Sequence, residues 1–191
     1  MSGGAAPCSA SVLRMTKYAV FLRGINVGGI NLKMADLRTA LATLPLGHVK
    51  TLLASGNVVC TAEASPVELK SMVEALLRAT FGYEAWVIIL DQDQLENIVR
   101  TCPWAADDTT THSYITLSSD PAVLDELAQH GGEIAGVELS RLSPEALAWP
   151  APAGGTLDSP FSKLSARPRY KSTTTTRNLR TLVKCRDALA K

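Results

Sequence analysis

The chain has 191 residues, 46% of them hydrophobic and 19% charged, with a formal net charge of +1. That length holds one sizeable core or two small ones packed together, and the balance is that of a soluble globular protein, not a disordered one. No apolar run reaches the ~18–20 residues of a membrane span, and Cys8, Cys60, Cys102 and Cys185 form no C-x-x-C pair, so a reducing cytoplasm without a membrane partner is expected.

Residues 1–16 are small and polar, lack the charged and apolar regions of a signal peptide, and read as a flexible tail, with Met15 the more natural start. Tyr18 to Leu22 is a short apolar run bounded by Gly24 and reads as a buried strand. Gly24, Gly28 and Gly29 allow successive backbone N–H groups to turn inward as an anion nest, with Arg23 and Lys33 placing charge at its two ends. The same glycines equally suit a strand-to-helix connection that needs positive φ. GINVGG is not G-x-G-x-x-G, and no G-K-[ST] follows, so the dinucleotide and P-loop fingerprints are excluded.

Lys33 to Leu44 then sets Met34, Leu37, Leu41 and Leu44 on one helical face, and Pro45-Leu46-Gly47 stops it. His48–Ala54 and Asn57–Thr61 read as strands joined at Ser55-Gly56-Asn57. Ser65-Pro66 opens the next helix, with Glu68 completing a capping box, and Gly82 closes it before the strand Ala85–Leu90. The order β-α-β-β-α-β is an α–β plait, whose topology brings the loop of Arg23 and Asn26 to the same sheet edge as the turn of Ser55 and Asn57.

Asp91 caps a helix carrying Leu95, Ile98 and Val99, which ends before Pro103. A polar connection leads to a strand at His112–Leu117, a helix at Pro121–Gln129 capped by Asp120, a strand at Glu133–Leu139 and a fourth segment at Glu145–Trp149, entered through an Arg141–Pro144 turn. After the PAPAGG loop, a short helix at Pro160–Leu164 meets Arg167-Pro168, which ends it. Thr173–Thr176 reads as extended or capping, and the last helix starts near Arg177 with Leu179, Leu182, Val183 and Leu189 as its apolar stripe. The second half thus repeats β-α-β-β, and its last segments are expected to depart from a clean repeat. The expected fold is α+β: two α–β plait (ferredoxin-like) subdomains packed in one chain, residues 17–102 with a linking helix and 103–191 with an extra, basic C-terminal helix.

FLRGINVGG, the K-M-A-x-L helix after it and LASGNVV at Leu53–Val59 closely resemble a bacterial family of uncharacterised proteins whose members open with FLRGINVGG. Ser162-Lys163-Leu164 and Thr175-Thr176-Arg177-Asn178 resemble that family's SKL and T-x-R-N segments, so the likeness runs over about residues 17–187. It implies the two-plait fold and no established activity. A proline and a shorter helix between SKL and T-x-R-N depart from the family pattern.

Residues 1–159 carry 10 Lys and Arg against 17 Asp and Glu, whereas residues 160–191 carry 9 against Asp187 alone. That division asks for an internal partner, the basic tail over an acidic body, or a phosphate-bearing one. No histidine or carboxylate is placed beside a nucleophile and no metal spacing occurs, so no catalytic residue, metal or cofactor is assigned. Asp36, Glu84 and Asp158 are the weak candidates for catalysis. The candidate ligand site is Arg23, Asn26, Gly28, Gly29, Lys33, Ser55, Asn57, Ser162, Lys163, Thr176, Arg177 and Asn178, for a phosphate-bearing small molecule or nucleic acid. RNA read on the sheet is disfavoured, because Tyr18 and Phe21 fall on opposite faces. The alternative is a protein–protein interaction module, or a homo-oligomer, with no small-molecule ligand.

Overall fold

The structure is a computed structural model, and it describes residues 15–23, 25, 32–82, 84–170 and 173–191. Two four-stranded antiparallel sheets form, in the orders β2-β3-β1-β4 and β6-β7-β5-β8. The first half runs β1 (Thr16–Arg23), α1 (Met34–Leu41), β2 (Gly47–Leu52), β3 (Asn57–Ala62), α2 (Pro66–Phe81), β4 (Trp86–Asp91) and α3 (Gln92–Thr101). The second runs β5 (Thr111–Ser118), α4 (Pro121–Gly132), β6 (Ser140–Ser143), β7 (Ala146–Pro152), α5 (Pro160–Ser165), β8 (Thr174–Asn178) and α6 (Leu179–Leu189). The second half is therefore a complete β-α-β-β-α-β repeat with a trailing helix, like the first. This corrects the expectation that its last segments depart from a clean repeat.

The alternation of side chains along each strand sorts the core into three parts. Tyr18, Val20 and Leu22 of β1 face α1 and α2, while Ala19 and Phe21 face a central cluster with α3 and α6. Ile115 and Leu117 of β5 close that cluster from the other side, and Trp149, Phe161 and Leu164 build the outer core of the second half against α4. The helices trailing each plait thus fill the space between the two sheets. Tyr18 and Phe21 are both buried, and both faces of both sheets are covered, which leaves no sheet face on which bases could stack.

Local chemistry sets the element ends. Ser65 and Glu68 form the expected capping box on α2, and Gly82 closes it in the left-handed region at φ 68°. Asp91 and Gln94 form a second capping box on α3, and Asn178 caps α6 by accepting from the Arg180 N–H at 2.9 Å. Three expectations are corrected. Helix α1 ends at Leu41, because Thr43 and Leu44 tighten into i−3 bonds to Ala40 and Leu41. The strand expected at Glu133–Leu139 is a turn: α4 continues through Gly131, which lies so close to Leu139 and Phe161 that a Cβ there would sit 2.6 and 2.8 Å from them. Ile134, Val137 and Leu139 pack on the outer core from that turn, so their apolar character serves packing without strand pairing. The hairpin strand is instead Ser140–Ser143, and its turn is Pro144-Glu145. Thr174–Asn178 pairs with β5 as a strand, the extended alternative of the sequence reading, and it is the start of the last helix that moves, from near Arg177 to Leu179.

Part of the charge division is met within the chain, where three basic side chains of the tail pair with acids of the body. Arg186 pairs with Glu96 at 3.7 Å and with its neighbour Asp187, Arg169 pairs with Glu126, and Lys163 lies 3.9 Å from Asp158. Arg180 donates to the Ala106 and Asp108 carbonyls, both at 2.7 Å.

Candidate functional site

The seam between the halves is built where the end of β1, the β2–β3 turn and the edge strand β8 converge. The turn needs Gly56 for two reasons: its φ is +69°, and a Cβ there would lie 2.3 Å from Ile25 Cδ1 and 3.0 Å from Leu22 Cβ. That close approach lets the Leu22 N–H donate to the Gly56 carbonyl at 2.8 Å. Asn57, fully buried, holds the turn by donating through Nδ2 to the Leu52 carbonyl at 3.0 Å and to Ser55 Oγ at 2.9 Å.

Into this seam β8 sends Arg177, only 9% exposed. Its Nε donates to Asn57 Oδ1 at 2.7 Å, Nη1 to Thr175 Oγ1 at 2.7 Å and the Thr176 carbonyl at 3.0 Å, and Nη2 to the Ser55 carbonyl at 2.9 Å and the Leu22 carbonyl. A guanidinium has five N–H donors, and each here has an acceptor within the protein. Every one of those acceptors is neutral. Arg23 stands beside this node at the end of β1, its Nη1 donating to the Thr174 carbonyl. Among the described residues neither arginine has a carboxylate within ion-pair distance. Burial pushes the Arg177 pKa down to about 10, with the nearby Arg23 charge acting in the same direction, and burial lowers that of Arg23 too.

The other expected site residues divide clearly. Ser55 and Asn57 meet Arg177, and Lys33 is exposed at the start of α1. Asn26, Gly28 and Gly29 lie outside the described residues. Thr176 is turned toward the outer core, its Oγ1 3.0 Å from Thr116 Oγ1, which also accepts from the Trp149 indole at 3.0 Å. Asn178 is spent on capping α6. Ser162 and Lys163 sit on α5 in the outer layer, with no hydrogen bond or ion pair to a described residue of the seam. Asp36, Glu84 and Asp158 are exposed and make no contact of that kind with either arginine.

The full commitment of Arg177 escaped the sequence, because five bonds to one side chain from three separated segments leave no local pattern. The exposed large apolar side chains among the described residues are Met15 ahead of β1, Leu53 in the β2–β3 turn and Val67 on α2.

The fold and the seam define a two-plait α+β protein whose halves are joined through a buried arginine. The chain belongs to the family described as Protein of unknown function (DUF1697), whose model matches residues 15–142. The match takes in the glycine turn and the Ser-Gly-Asn turn and ends before β8. Among solved structures, the conserved bacterial protein SP0830 from Streptococcus pneumoniae is similar at 24% identity and a TM-score of 0.76, over 92% of this chain and 99% of that one. That likeness shows the fold. The comparison with curated proteins finds no match. No helix of the described residues is long and apolar enough to cross a membrane.

Proposed function

We propose that the protein binds a phosphate-bearing ligand, a nucleotide or a segment of nucleic acid, at the mouth of the seam where the β1–α1 connection leaves Arg23. The observation that carries this reading is the pair of partly and fully buried arginines with no carboxylate partner among the described residues. Buried charge without a counter-charge is costly, and an anionic ligand at Arg23 would offset it. Arg23 is the direct contact in this reading, since only its Nη1 is bonded to a described residue. Arg177 acts behind it as a fixed charge that raises the local potential, its own donors being occupied. Lys33 and the backbone at Asn26, Gly28 and Gly29 supply the remaining contacts, and the Ser55–Asn57 turn holds the floor. The reading adds no reaction.

The test is a low-salt thermal-shift screen of mononucleotides, sugar phosphates, RNA and DNA against the parent and Arg23→Ala. A ligand at ~100 times its dissociation constant adds ~2.7 kcal/mol, a shift of a few degrees. A shift in the parent that Arg23→Ala abolishes is the expected result. Equal shifts in both proteins, or none in either, would overturn the proposal.

A further inference from the structure

Four strands lie at the edges of the two sheets, and three of them are protected by their own build. β6 has four residues, β2 shifts register between Gly47 and Lys50, and β8 is turned into the seam, where Arg23 and Arg177 donate to its Thr174 and Thr176 carbonyls. β4 is the exception: it pairs with β1 without a register shift, and it is uncharged and rich in β-branched residues from Trp86 to Leu90. A regular apolar edge of that kind is a template for another strand.

Which peptide groups of β4 face outward follows from its partner. The Leu22 N–H donates to Gly56 on the β3 side, so Leu22 and Val87 form a pair that exchanges no backbone hydrogen bond. Val87 therefore turns its N–H and C=O away from β1, and the alternation of the strand turns those of Ile89 the same way. Both outward groups of Val87 are taken by side chains of α2: its N–H donates to Glu74 Oε1 at 3.0 Å, and its carbonyl accepts from Lys70 Nζ at 2.9 Å. Lys70 and Glu74, one helical turn apart, also pair with each other, and their side chains are only 30% and 19% exposed, so they are held against the strand. They supply a donor and an acceptor where a neighbouring strand would. At the far end Asp91 is spent as the cap of α3, its N–H donating to Gln94 Oε1 at 3.0 Å, so the edge open to pairing ends at Ile89.

We infer that the Lys70–Glu74 pair is a lock on the β4 edge, and that the strand it excludes is β4 of a second copy of this chain. Register is the argument for a second copy. An antiparallel pairing centred on Val87 sets Ile89 of each copy opposite Ala85 of the other and Ile88 opposite Trp86, so apolar residues meet throughout and the α3 caps stay clear. Its centre is the residue that the lock holds. While the lock is closed, the Val87 N–H and C=O have no bond to give to a second strand. Loss of Glu74 frees the N–H and takes the counter-charge from Lys70, which opens the edge.

The experiment is sedimentation velocity of the full chain from dilute to concentrated solution, with amide hydrogen exchange read at Val87 and Ile89 at the same concentrations. It is run on the parent, Glu74→Ala, Lys70→Ala and Glu74→Gln. In the parent the Val87 amide is expected to be protected at every concentration, and exchange at Ile89 to be independent of concentration. In dilute Glu74→Ala, exchange at Val87 should speed up by about tenfold, the loss of one hydrogen bond. As its concentration rises, a species of twice the mass should accumulate while Val87 and Ile89 become protected together. Glu74→Gln keeps the acceptor oxygen and should behave as the parent does. A melting curve for each variant separates pairing of folded copies from aggregation of unfolded ones, and if Glu74→Ala does not fold, Lys70→Ala is judged by the same readings. Equal Val87 exchange in the parent and the folded variant would overturn the lock. A variant that sediments as the parent does at all concentrations, or associates without slowing exchange at Val87 and Ile89, would overturn the pairing it is inferred to prevent.

Discussion

The two halves place different chemistry at equivalent positions of the seam. In the first half, the residue of β4 paired with Ala19 is Leu90; in the second, the residue of β8 paired with Ile115 is Arg177. The strand opposite follows suit. Phe21 of β1 faces Asn57 at the start of β3, and Leu117 of β5 faces Ala146 at the start of β7. The backbone is alike in both places, since the Leu22 N–H reaches the Gly56 carbonyl and the Ser118 N–H reaches the Glu145 carbonyl. On one backbone plan, one seam carries Leu90 and Ala146 in an apolar cluster, and the other carries Arg177 and Asn57 in a hydrogen-bonded node. Apolar contact is non-directional and tolerates small slides, whereas five bonds from a planar fork admit one arrangement. The difference locates the charge of the molecule's interior at one end of the central layer, next to Arg23.

The comparison breaks most severely at Arg177. Arg177→Ala removes the donors to Asn57 Oδ1, Thr175 Oγ1 and the Leu22, Ser55 and Thr176 carbonyls, and is expected to cost about 3–5 kcal/mol in equilibrium denaturant unfolding. Making this seam resemble the other sharpens the point: Arg177→Leu with Asn57→Ala should destabilise by less than the sum of the single changes, with a coupling of about 1–3 kcal/mol. Strict additivity would show that the two residues do not act as a unit.

Gly56→Ala tests the backbone half of the node. Its added Cβ meets Ile25 and Leu22, and its φ of +69° disfavours any side chain, so a loss of about 1–3 kcal/mol is expected on thermal unfolding. The equivalent turn position in the second half is already Glu145, so Glu145→Ala should be milder by comparison.

The smallest expected effect concerns the second half's broken helix. Where the first half has the sixteen-residue α2, the second has the six-residue α5, then a 3-10 turn at Pro168–Tyr170. Tyr170 ties that turn to α4 by donating to Glu126 at 2.7 Å, and Arg169 pairs with the same carboxylate. The Tyr170 hydrogen bond first, and the Arg169 contacts after it, hold the Glu126 pKa below the usual value. A carboxylate whose folded pKa is depressed contributes stability above its unfolded pKa and loses it as pH falls through the folded value. Stability should therefore fall on acidification below about pH 4.5. Glu126→Gln should flatten that acid limb in a pH series of melting temperatures, and an unchanged limb would remove Glu126 from the explanation.

Much of the first half was legible because its signals are local. Ser65-Pro66 with Glu68, Gly82 and Asp91 mark helix ends through bonds made within a few residues, and the unbroken apolar run Tyr18 to Leu22 marks a strand buried on both faces. The second half was harder to read where long-range packing overrode local preference. Ile134, Val137 and Leu139 have the character of a strand and fold as a turn against Phe161, and the run of threonines before Arg177 becomes a strand only because β5 offers an edge.

The same division holds for function. The sequence by itself determined the plait order of the first half, its helix caps and the approach of the end of β1 to the Ser55–Asn57 turn, since topology and periodicity are written in neighbouring residues. Only the tertiary structure decided that Arg177 is a fully occupied internal pin, that Ser162 and Lys163 lie in another layer, and that the Thr61 hydroxyl is buried against Gly47 without a partner. Those facts depend on donors and acceptors tens of residues apart, and which of them meet is set by how the two sheets close on α3 and α6.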